Sequence, residues 1–205
     1  MKIYPDIIPV FPLNGVIYFP KTNLPLNIFE QRYLDLVNDA YDNDKLMGMV
    51  QSKKENNTVY NVGCLGKISD YQKSEDGRIF VNLTGITRFE ILDEKINNKL
   101  YREFRVNYRN FKNDLIEEEG KISSSELMKK AKTFFNKNGL LLNWNEFEKL
   151  NQTQKINTLS MIAPVTNEEK QKILEAVTLK EKLKTLEQII NFYLHDVNFK
   201  SQTVQ

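Results

Sequence analysis

Few side chains in this chain of 205 residues are of types that commonly perform catalysis or bind metals. Cys64 is the only cysteine, and its surroundings have the pattern of a strand, which predicts a thiol in the core. His195 is the only histidine and directly follows Leu194 near the end of a helical pattern, as a residue at the rim of a helix face does. A single cysteine excludes an internal disulfide and a cysteine metal cluster. We therefore expect no catalytic, metal-binding or cofactor-binding residues.

Two further motifs with chemical potential have structural interpretations. The serines at 123–125 precede Glu126 as the cap of a helix would, and no base accompanies them. The segment 63–67 contains two glycines and a lysine, but its spacing is not that of a phosphate-binding loop and it leads into a strand pattern. Neither motif predicts a nucleophile or a nucleotide site.

The charge balance argues against nucleic acid as a partner. The chain has 29 Lys and Arg against 27 Asp and Glu, a net charge of +2, whereas nucleic-acid-binding domains concentrate basic residues on one face. Four lysines between 129 and 137 share a predicted helix with Phe134 and Phe135. Helical spacing turns these rings toward the core and the lysines toward water.

The N-terminus and the hydropathy pattern predict a cytoplasmic bacterial protein without membrane contacts. The opening MKIYPDIIPVFPL is interrupted by prolines and lacks the apolar core of a signal peptide. The chain contains no apolar run of about 18 residues, which a membrane-spanning helix would need.

The start of the chain is predicted to be β-rich and to turn into one helix. In order, we expect a strand, a turn, a second strand and a proline-restricted loop at residues 7–11, 14–15, 16–19 and 20–25. Asn27 followed by Glu30 predicts a helix N-cap with its capping-box partner. The helix should end near Asp42, and helical spacing gives it one apolar face made of Phe29, Tyr33, Leu36, Val37, Ala40 and Tyr41.

Five further β segments are predicted before residue 113, at residues 46–51, 58–62, 64–72, 78–92 and 104–108. Gly63 predicts a bulge or bend, Asp76 with Gly77 predicts a hairpin, and Gly85 interrupts a strand. Many short strands with one early helix predict an antiparallel, strongly bent sheet or small barrel. We assign residues 1–113 to this subdomain.

From residue 114 to 205 the periodicity predicts an α-helical bundle, which follows a polar linker near residues 117–125. Gly139 should end the first helix. Later helices begin at cap pairs, which are Asn143 with Glu146, Thr166 with Glu169 and Thr178 with Glu181. The expected fold class is therefore α+β.

Four segments together resemble the N-terminal substrate-binding domain of the Lon ATP-dependent protease family. They are IPVFPLNGVIYFPKTNLPLNIFEQRY at 8–33, VYNVGCLGKI at 59–68, DGRIFVNLTGITRFEI at 76–91 and APVTNEEKQKILEAVTLKEKL at 163–183. They cover nearly the whole chain in the family's order. The resemblance singles out Glu30 and Arg32, for which the capping box and an anchoring ion pair are sufficient explanations.

The resemblance implies a PUA-like bent β-barrel followed by a helical bundle, and a domain that contacts unfolded or degron-bearing polypeptides. An adaptor to an ATP-dependent protease in protein quality control is one form of that role. Because no G-x-x-x-x-G-K-[ST] loop occurs, we expect a free-standing, non-catalytic binding domain. RNA binding or small-ligand binding by a PUA-like module is the alternative.

A domain that binds unfolded segments needs accessible apolar surface or a free strand edge. The candidates are apolar residues of strands whose two faces cannot both be buried, namely Tyr18, Phe19, Leu24, Leu26, Tyr71 and Phe80. Closure of the barrel by the same residues is the competing interpretation.

Overall fold

The computed structural model of the chain describes residues 4–53, 58–116 and 124–195. The chain divides into two compact units, Met1–Glu117 and Glu118–Gln205. Most of the predicted polar linker, residues 117–123, lies outside the described residues. None of the helices in the described ranges is long and apolar enough to cross a membrane.

The first unit consists of six strands, one α-helix and a terminal 3-10 helix. They are β1 (Ile7–Leu13), β2 (Asn23–Ile28), α1 (Gln31–Asp42), β3 (Leu46–Gln51), β4 (Val62–Lys73), β5 (Ile79–Lys95), β6 (Arg102–Asn107) and the 3-10 helix Arg109–Leu115. The boundary that we predicted at residue 113 lies inside this 3-10 helix, whose cap Ile116 is the last described residue of the unit.

The six strands form one sheet that closes on itself. Strand β1 pairs in parallel with β3 and antiparallel with β6, while β3–β4, β4–β5 and β5–β6 are antiparallel. Strand β5 is 17 residues long, so that its first half pairs with β2 and its last part with β6. Register shifts in the β4–β5 and β5–β6 pairs accompany the bending. The predicted bent, barrel-like sheet is thus confirmed.

Alternation along the strands places one set of apolar side chains inside the ring. All six residues of β3 are buried, and Phe89 lies fully buried near the middle of β5. The inner cluster comprises Ile8, Val10, Leu46, Val50, Leu65, Phe89, Phe104 and Val106. Helix α1 packs Tyr33, Leu36, Val37 and Ala40 toward the core, as four of the residues on its predicted apolar face.

The predictions for residues 16–25 were wrong in two respects. Residues 16–19 form no strand, although Ile17, Tyr18 and Phe19 are buried. The supposed loop contains the start of β2, including Pro25. Backbone pairing with a distant strand decides the second point, because Lys21 N–H donates to Gly85 O and Gly85 N–H donates to Thr22 O, each at 2.9 Å.

The predicted capping box at the start of α1 was also wrong. Asn27 lies in β2 opposite Phe80, so that its backbone is held extended by the sheet. The helix begins at Gln31 with Glu30 as the N-cap residue, and no side-chain cap hydrogen bond is formed. The Glu30 carboxylate instead accepts hydrogen bonds from Arg32 at 3.0 and 2.8 Å, which agrees with the predicted anchoring role of Arg32.

The glycines in β4 and β5 do not interrupt their strands as predicted. Strand β4 runs through Gly63, and its register shifts fall after Leu65 and Ile68. Strand β5 runs through Gly85 without a break. Both positions need glycine because a Cβ would lie 2.5 Å from Met49 O at Gly63 and 2.3 Å from Phe19 O at Gly85. The predicted hairpin at Asp76 and Gly77 is confirmed, with Gly77 at φ 87°.

The second unit is helical throughout its described part. Its helices are α2 (Ser125–Lys137), α3 (Trp144–Glu148), α4 (Gln152–Ile162), α5 (Asn167–Glu175) and α6 (Leu179–His195). The predicted caps are confirmed, since Asn143, Thr166 and Thr178 accept hydrogen bonds from the backbone N–H of Glu146, Glu169 and Glu181. Gly139 follows α2 with φ 68°, the left-handed conformation that ends many helices.

Candidate functional site

The outer surface of β2, β5 and β4 carries a shallow apolar groove of about 350 Å³. We call this surface the Phe80 face; it comprises Pro25, Leu26 and Asn27 of β2, Phe80, Val81 and Asn82 of β5, and Asp70 and Gln72 of β4. The sheet register brings these side chains together, because Phe80 lies opposite Asn27 on one side and Gln72 on the other.

The alternation of β5 explains why an aromatic ring faces outward here. Ile79, Val81 and Leu83 are at most 3% exposed, as the predicted inward set, whereas Phe80 is 45% exposed. Phe29, the residue directly after β2, is 66% exposed. Two exposed phenylalanines therefore lie at the same end of the β2–β5 pair, where Ile28 is paired with Ile79. Contiguous exposed apolar patches often mark binding sites, whereas single apolar residues scattered over a surface do not.

The six residues predicted to bind polypeptide are divided by burial. Tyr18, Phe19 and Leu24 are 2%, 0% and 7% exposed, so that they belong to the core. Leu26 and Tyr71 are half-buried. Phe80 is the candidate that the structure leaves most accessible.

Tyr71 is occupied by contacts with α1. Its ring stacks on Tyr41 with centroids 4.3 Å apart, and its hydroxyl donates to Asn38 Oδ1 at 2.8 Å. It therefore supports the underlying helix more than the open surface. Sequence reasoning missed Phe29, because helical spacing assigned it to the apolar side of α1, whereas it precedes that helix.

The free edge of β2 is blocked at its centre. No described strand pairs with β2 besides β5. Because Gly85 N–H donates to Thr22 O and bonded pairs alternate along an antiparallel ladder, Leu24 and Leu26 turn their backbone groups toward β5. Pro25 then faces the open edge, where it offers no N–H donor. Proline at such a position hinders the addition of another strand.

The groove contains little charge. Asp70 is the only charged side chain among the described residues that line it. The amides of Asn27, Gln72 and Asn82 lie beside the Phe80 ring, and an amide both donates and accepts hydrogen bonds. The arrangement can hold an apolar side chain on the ring while amides bind the main chain next to it.

Cys64 and His195, which were considered for catalysis, differ in burial and belong to different units. Cys64 is fully buried in β4, as predicted, and its thiol lies against Leu65 O at 3.6 Å. His195 is exposed at the end of α6, in the other unit. No group of three or more His, Cys, Asp or Glu that could hold a metal occurs in the described ranges. Lys130 and Lys132, predicted to face water, form ion pairs with Glu187 and Glu148.

Two buried basic residues in the described part of the chain were missed by the sequence analysis. Arg88 is 1% exposed and pairs with Asp114, and Lys182 is 2% exposed and donates to Asn157 Oδ1 at 3.1 Å. Arg88 had a detectable signal, since it is a cation within the apolar run of β5 and lies in the segment 76–91 that resembles the Lon family.

Comparison with known sequences assigns the chain to a family. The sequence model of the ATP-dependent protease La (LON) substrate-binding domain matches residues 7–191. The chain belongs to this family. The Lon substrate-binding domain family thus accounts for both the bent sheet and the helical unit, and the predicted resemblance is confirmed.

Full-length relatives are Lon proteases. The chain is 26% identical over 214 residues to the Lon protease of Syntrophus aciditrophicus, covering 97% of this chain and 26% of that protein. It is also 26% identical over 204 residues to the Lon protease of Dictyoglomus thermophilum, covering 93% of this chain and 24% of that protein. The chain therefore spans about a quarter of the length of these relatives.

Solved structures confirm the fold of this Lon substrate-binding domain. The Lon N-terminal domain protein from Xanthomonas campestris superposes with a TM-score of 0.63 at 20% identity, covering 91% of this chain and 98% of that chain. The N-terminal domain of the Mycobacterium avium complex Lon protease has the same TM-score at 14% identity, with 90% and 98% covered.

Proposed function

We propose that the Phe80 face binds apolar segments of unfolded or degron-bearing polypeptides, and that the chain is a non-catalytic substrate-binding module. The observation that carries this proposal is the exposed Phe80 ring in a groove with one charged lining residue, with the exposed Phe29 directly after the neighbouring strand β2. Membership of a family described by substrate binding supports the same role.

The geometry favours binding on the face of the sheet over binding at its edge. Strand addition would need successive main-chain donors and acceptors, and Pro25 removes the donor at the centre of the β2 edge. On the face, by contrast, the Phe80 ring and the amides of Asn27 and Gln72 are accessible together. A bound segment would therefore be selected for apolar side chains and low charge, with little demand on its exact order of residues.

The proposal extends to an adaptor role in cytoplasmic protein quality control. The relatives that match across this chain are Lon proteases, so the partner that we propose is an ATP-dependent protease that receives the bound polypeptide. The adaptor role would be supported if such a protease copurified with the affinity-tagged chain and if less of it copurified when the Phe80 face was altered.

A direct binding measurement tests the function. A reduced, alkylated and therefore permanently unfolded polypeptide is titrated with the chain, and the same polypeptide in its folded form is the comparison. Burying a phenylalanine contributes about 1.5–3 kcal/mol, so Phe80→Ser should weaken binding by about tenfold or more. Adding Phe29→Ser should weaken it further.

Leu92→Ser is the matched control, because Leu92 is also in β5 and is 57% exposed. Equal losses for Phe80→Ser and Leu92→Ser would contradict the assignment of the face. Binding of single-stranded RNA with a steep salt dependence, without binding of the unfolded polypeptide, would favour the RNA-binding alternative.

A further inference from the structure

A second cavity in the first unit differs in chemistry from the Phe80 face. This cleft has a volume of about 340 Å³ and lies between the end of β1, the start of α1 and the start of β6. It shares no lining residue with the groove on the Phe80 face. Its volume is in the range of cavities that hold small ligands.

The cleft has an aromatic floor. The rings of Phe11 and Tyr33 are stacked with centroids 3.9 Å apart and are 6% and 8% exposed. The Tyr33 hydroxyl donates to Pro12 O at 3.4 Å, which fixes the ring. Leu100, which is 65% exposed, adds an apolar rim. Leu100 therefore supplies most of the exposed apolar surface of the cleft, above the nearly buried rings.

Cationic groups lie next to that floor. Arg32, Arg102 and Glu30 line the cleft, and their net charge is +1. The Arg32 guanidinium lies 4.5 Å from the centroid of the Tyr33 ring. Burial raises the pKa of Tyr33, and Glu30 raises it further, while Arg32 and Arg102 act to lower it. The cleft therefore combines aromatic side chains with two arginines, each of which is paired with a carboxylate.

The two arginines are engaged to different extents. Arg102 is held by Glu94 through two hydrogen bonds of 2.7 and 2.6 Å. Arg32 directs both Nε and Nη2 at the single oxygen Oε2 of Glu30, and its Nη1 has no acceptor within the described part of the chain. The Arg32–Glu30 pair is about half exposed on both sides, so it is weak and easily rearranged.

We propose that this cleft binds an apolar carboxylate, with the carboxylate on Arg32 and the apolar body on the Phe11 and Tyr33 rings. Planar carboxylates match the fork of guanidinium donors. Two sources share this chemistry, namely the C-terminal residue of a polypeptide and a free organic acid.

NMR titration of the full chain tests the proposal with three probes. They are the tetrapeptide Ala-Ala-Ala-Phe with a free carboxylate, the same peptide as its C-terminal amide, and 3-phenylpropionate. The free peptide or the organic acid should shift the amide signals of Leu13, Ser52 and Leu100, which border the cleft. Because hydrogen bonds to charged groups are strong, the amidated peptide should bind at least about tenfold more weakly.

The two sources give different results. If the peptide acid binds and 3-phenylpropionate does not, the ligand is the C-terminus of a polypeptide. If 3-phenylpropionate binds and the peptide acid does not, the ligand is a free organic acid. If neither compound shifts these signals at millimolar concentration, the proposal is wrong. Equal affinity for the acid and amide peptides, or tighter binding of inorganic phosphate, would also overturn it.

Arg78 supplies a closely matched control for Arg32. Arg78 pairs with Asp76 two residues before it at 3.1 Å, and both side chains are about half exposed, as in the Arg32–Glu30 pair. Arg32→Gln should weaken carboxylate binding about tenfold, and Arg78→Gln should leave it unchanged. Equal effects would refute the role of Arg32. Phe80→Ser should not alter carboxylate binding. The carboxylate proposal and the proposal of polypeptide binding at the Phe80 face can therefore fail independently of each other.

Discussion

Asp114 accepts three hydrogen bonds from Arg88, and this buried ion pair ties the 3-10 helix to strand β5. The backbone N–H and Nε of Arg88 donate to Oδ2 at 2.9 and 2.8 Å, and Nη2 donates to Oδ1 at 2.9 Å. The Arg88 guanidinium also lies 4.2 Å from the centroid of the Phe111 ring. The two residues are 26 positions apart in sequence. The ion pair therefore holds the 3-10 helix at the end of the first unit against strand β5.

Removal of the Asp114 carboxylate should strongly destabilise the first unit. Asp114→Ala would leave the Arg88 charge buried without its counterion, for which we expect a loss of about 3–5 kcal/mol in the free energy of unfolding. Urea unfolding followed by circular dichroism, with hydrogen exchange to locate the effect, measures it. Asp76→Ala at the exposed Arg78 pair should cost at most about 1 kcal/mol; similar losses for both variants would contradict the prediction.

Replacement of Tyr18 by phenylalanine should leave the protein as stable or make it more stable. The Tyr18 hydroxyl is buried without a hydrogen-bond partner in the described structure, and burial, followed by the nearby Cys64, raises the pKa of this phenol. Relief of the desolvation cost is worth up to about 1–3 kcal/mol. Thermal unfolding of Tyr18→Phe provides the measurement.

Tyr108→Phe is the control for this substitution. The Tyr108 hydroxyl donates to Pro5 O at 2.7 Å, so that its removal should cost about 0.5–1.5 kcal/mol. A clear loss of stability in Tyr18→Phe would show that its hydroxyl contributes an interaction that the geometry does not contain.

A methyl group at Gly85 should disturb the crossing of residues 19–21 over β5. An alanine Cβ would lie 2.3 Å from Phe19 O and 3.0 Å from Pro20 Cα, and backbone atoms cannot move aside as side chains do. We expect Gly85→Ala to cost about 3 kcal/mol, measured by urea unfolding. Gly66→Ala should cost less, because its Cβ would meet the Tyr18 side chain at 3.0 Å; the reverse order would be inconsistent with this packing.

The Glu94–Arg102 pair should give stability that is lost in acid. A hydrogen bond from Arg102 lowers the pKa of Glu94 below its ordinary value of 4.5. Since the folded state then holds the proton less tightly than the unfolded state, the contribution is present above pH 4.5 and disappears as the pH falls through the folded pKa. Glu94 is 45% exposed, so the contribution should remain below about 1 kcal/mol.

Carbon-detected NMR titration of the Glu94 carboxyl checks this pH dependence. Arg102→Gln should return the pKa of Glu94 toward 4.5, while Arg105→Gln, at the exposed Asp93 pair of the same hairpin, should not. An unchanged pKa in Arg102→Gln would show that Arg102 is not the cause.

Short-range features of this protein were predictable from its sequence. The caps at Asn143, Thr166 and Thr178 and the turn at Gly77 depend on hydrogen bonds or φ values within a few residues. The inward set of β5 follows from strict alternation along the strand. The exposure of Phe80 follows from the same alternation, which is why the sequence could nominate it.

Long-range pairing alone decided the remaining features. Asn27 has the composition of a helix cap, but β5, more than 50 positions later, holds it extended opposite Phe80. The same pairing makes Pro25 an edge residue. The Arg88–Asp114 pair, the ring closure through β5 and β6, and the cleft beside Arg32 also join distant segments, whose meeting depends on tertiary packing and not on local propensity.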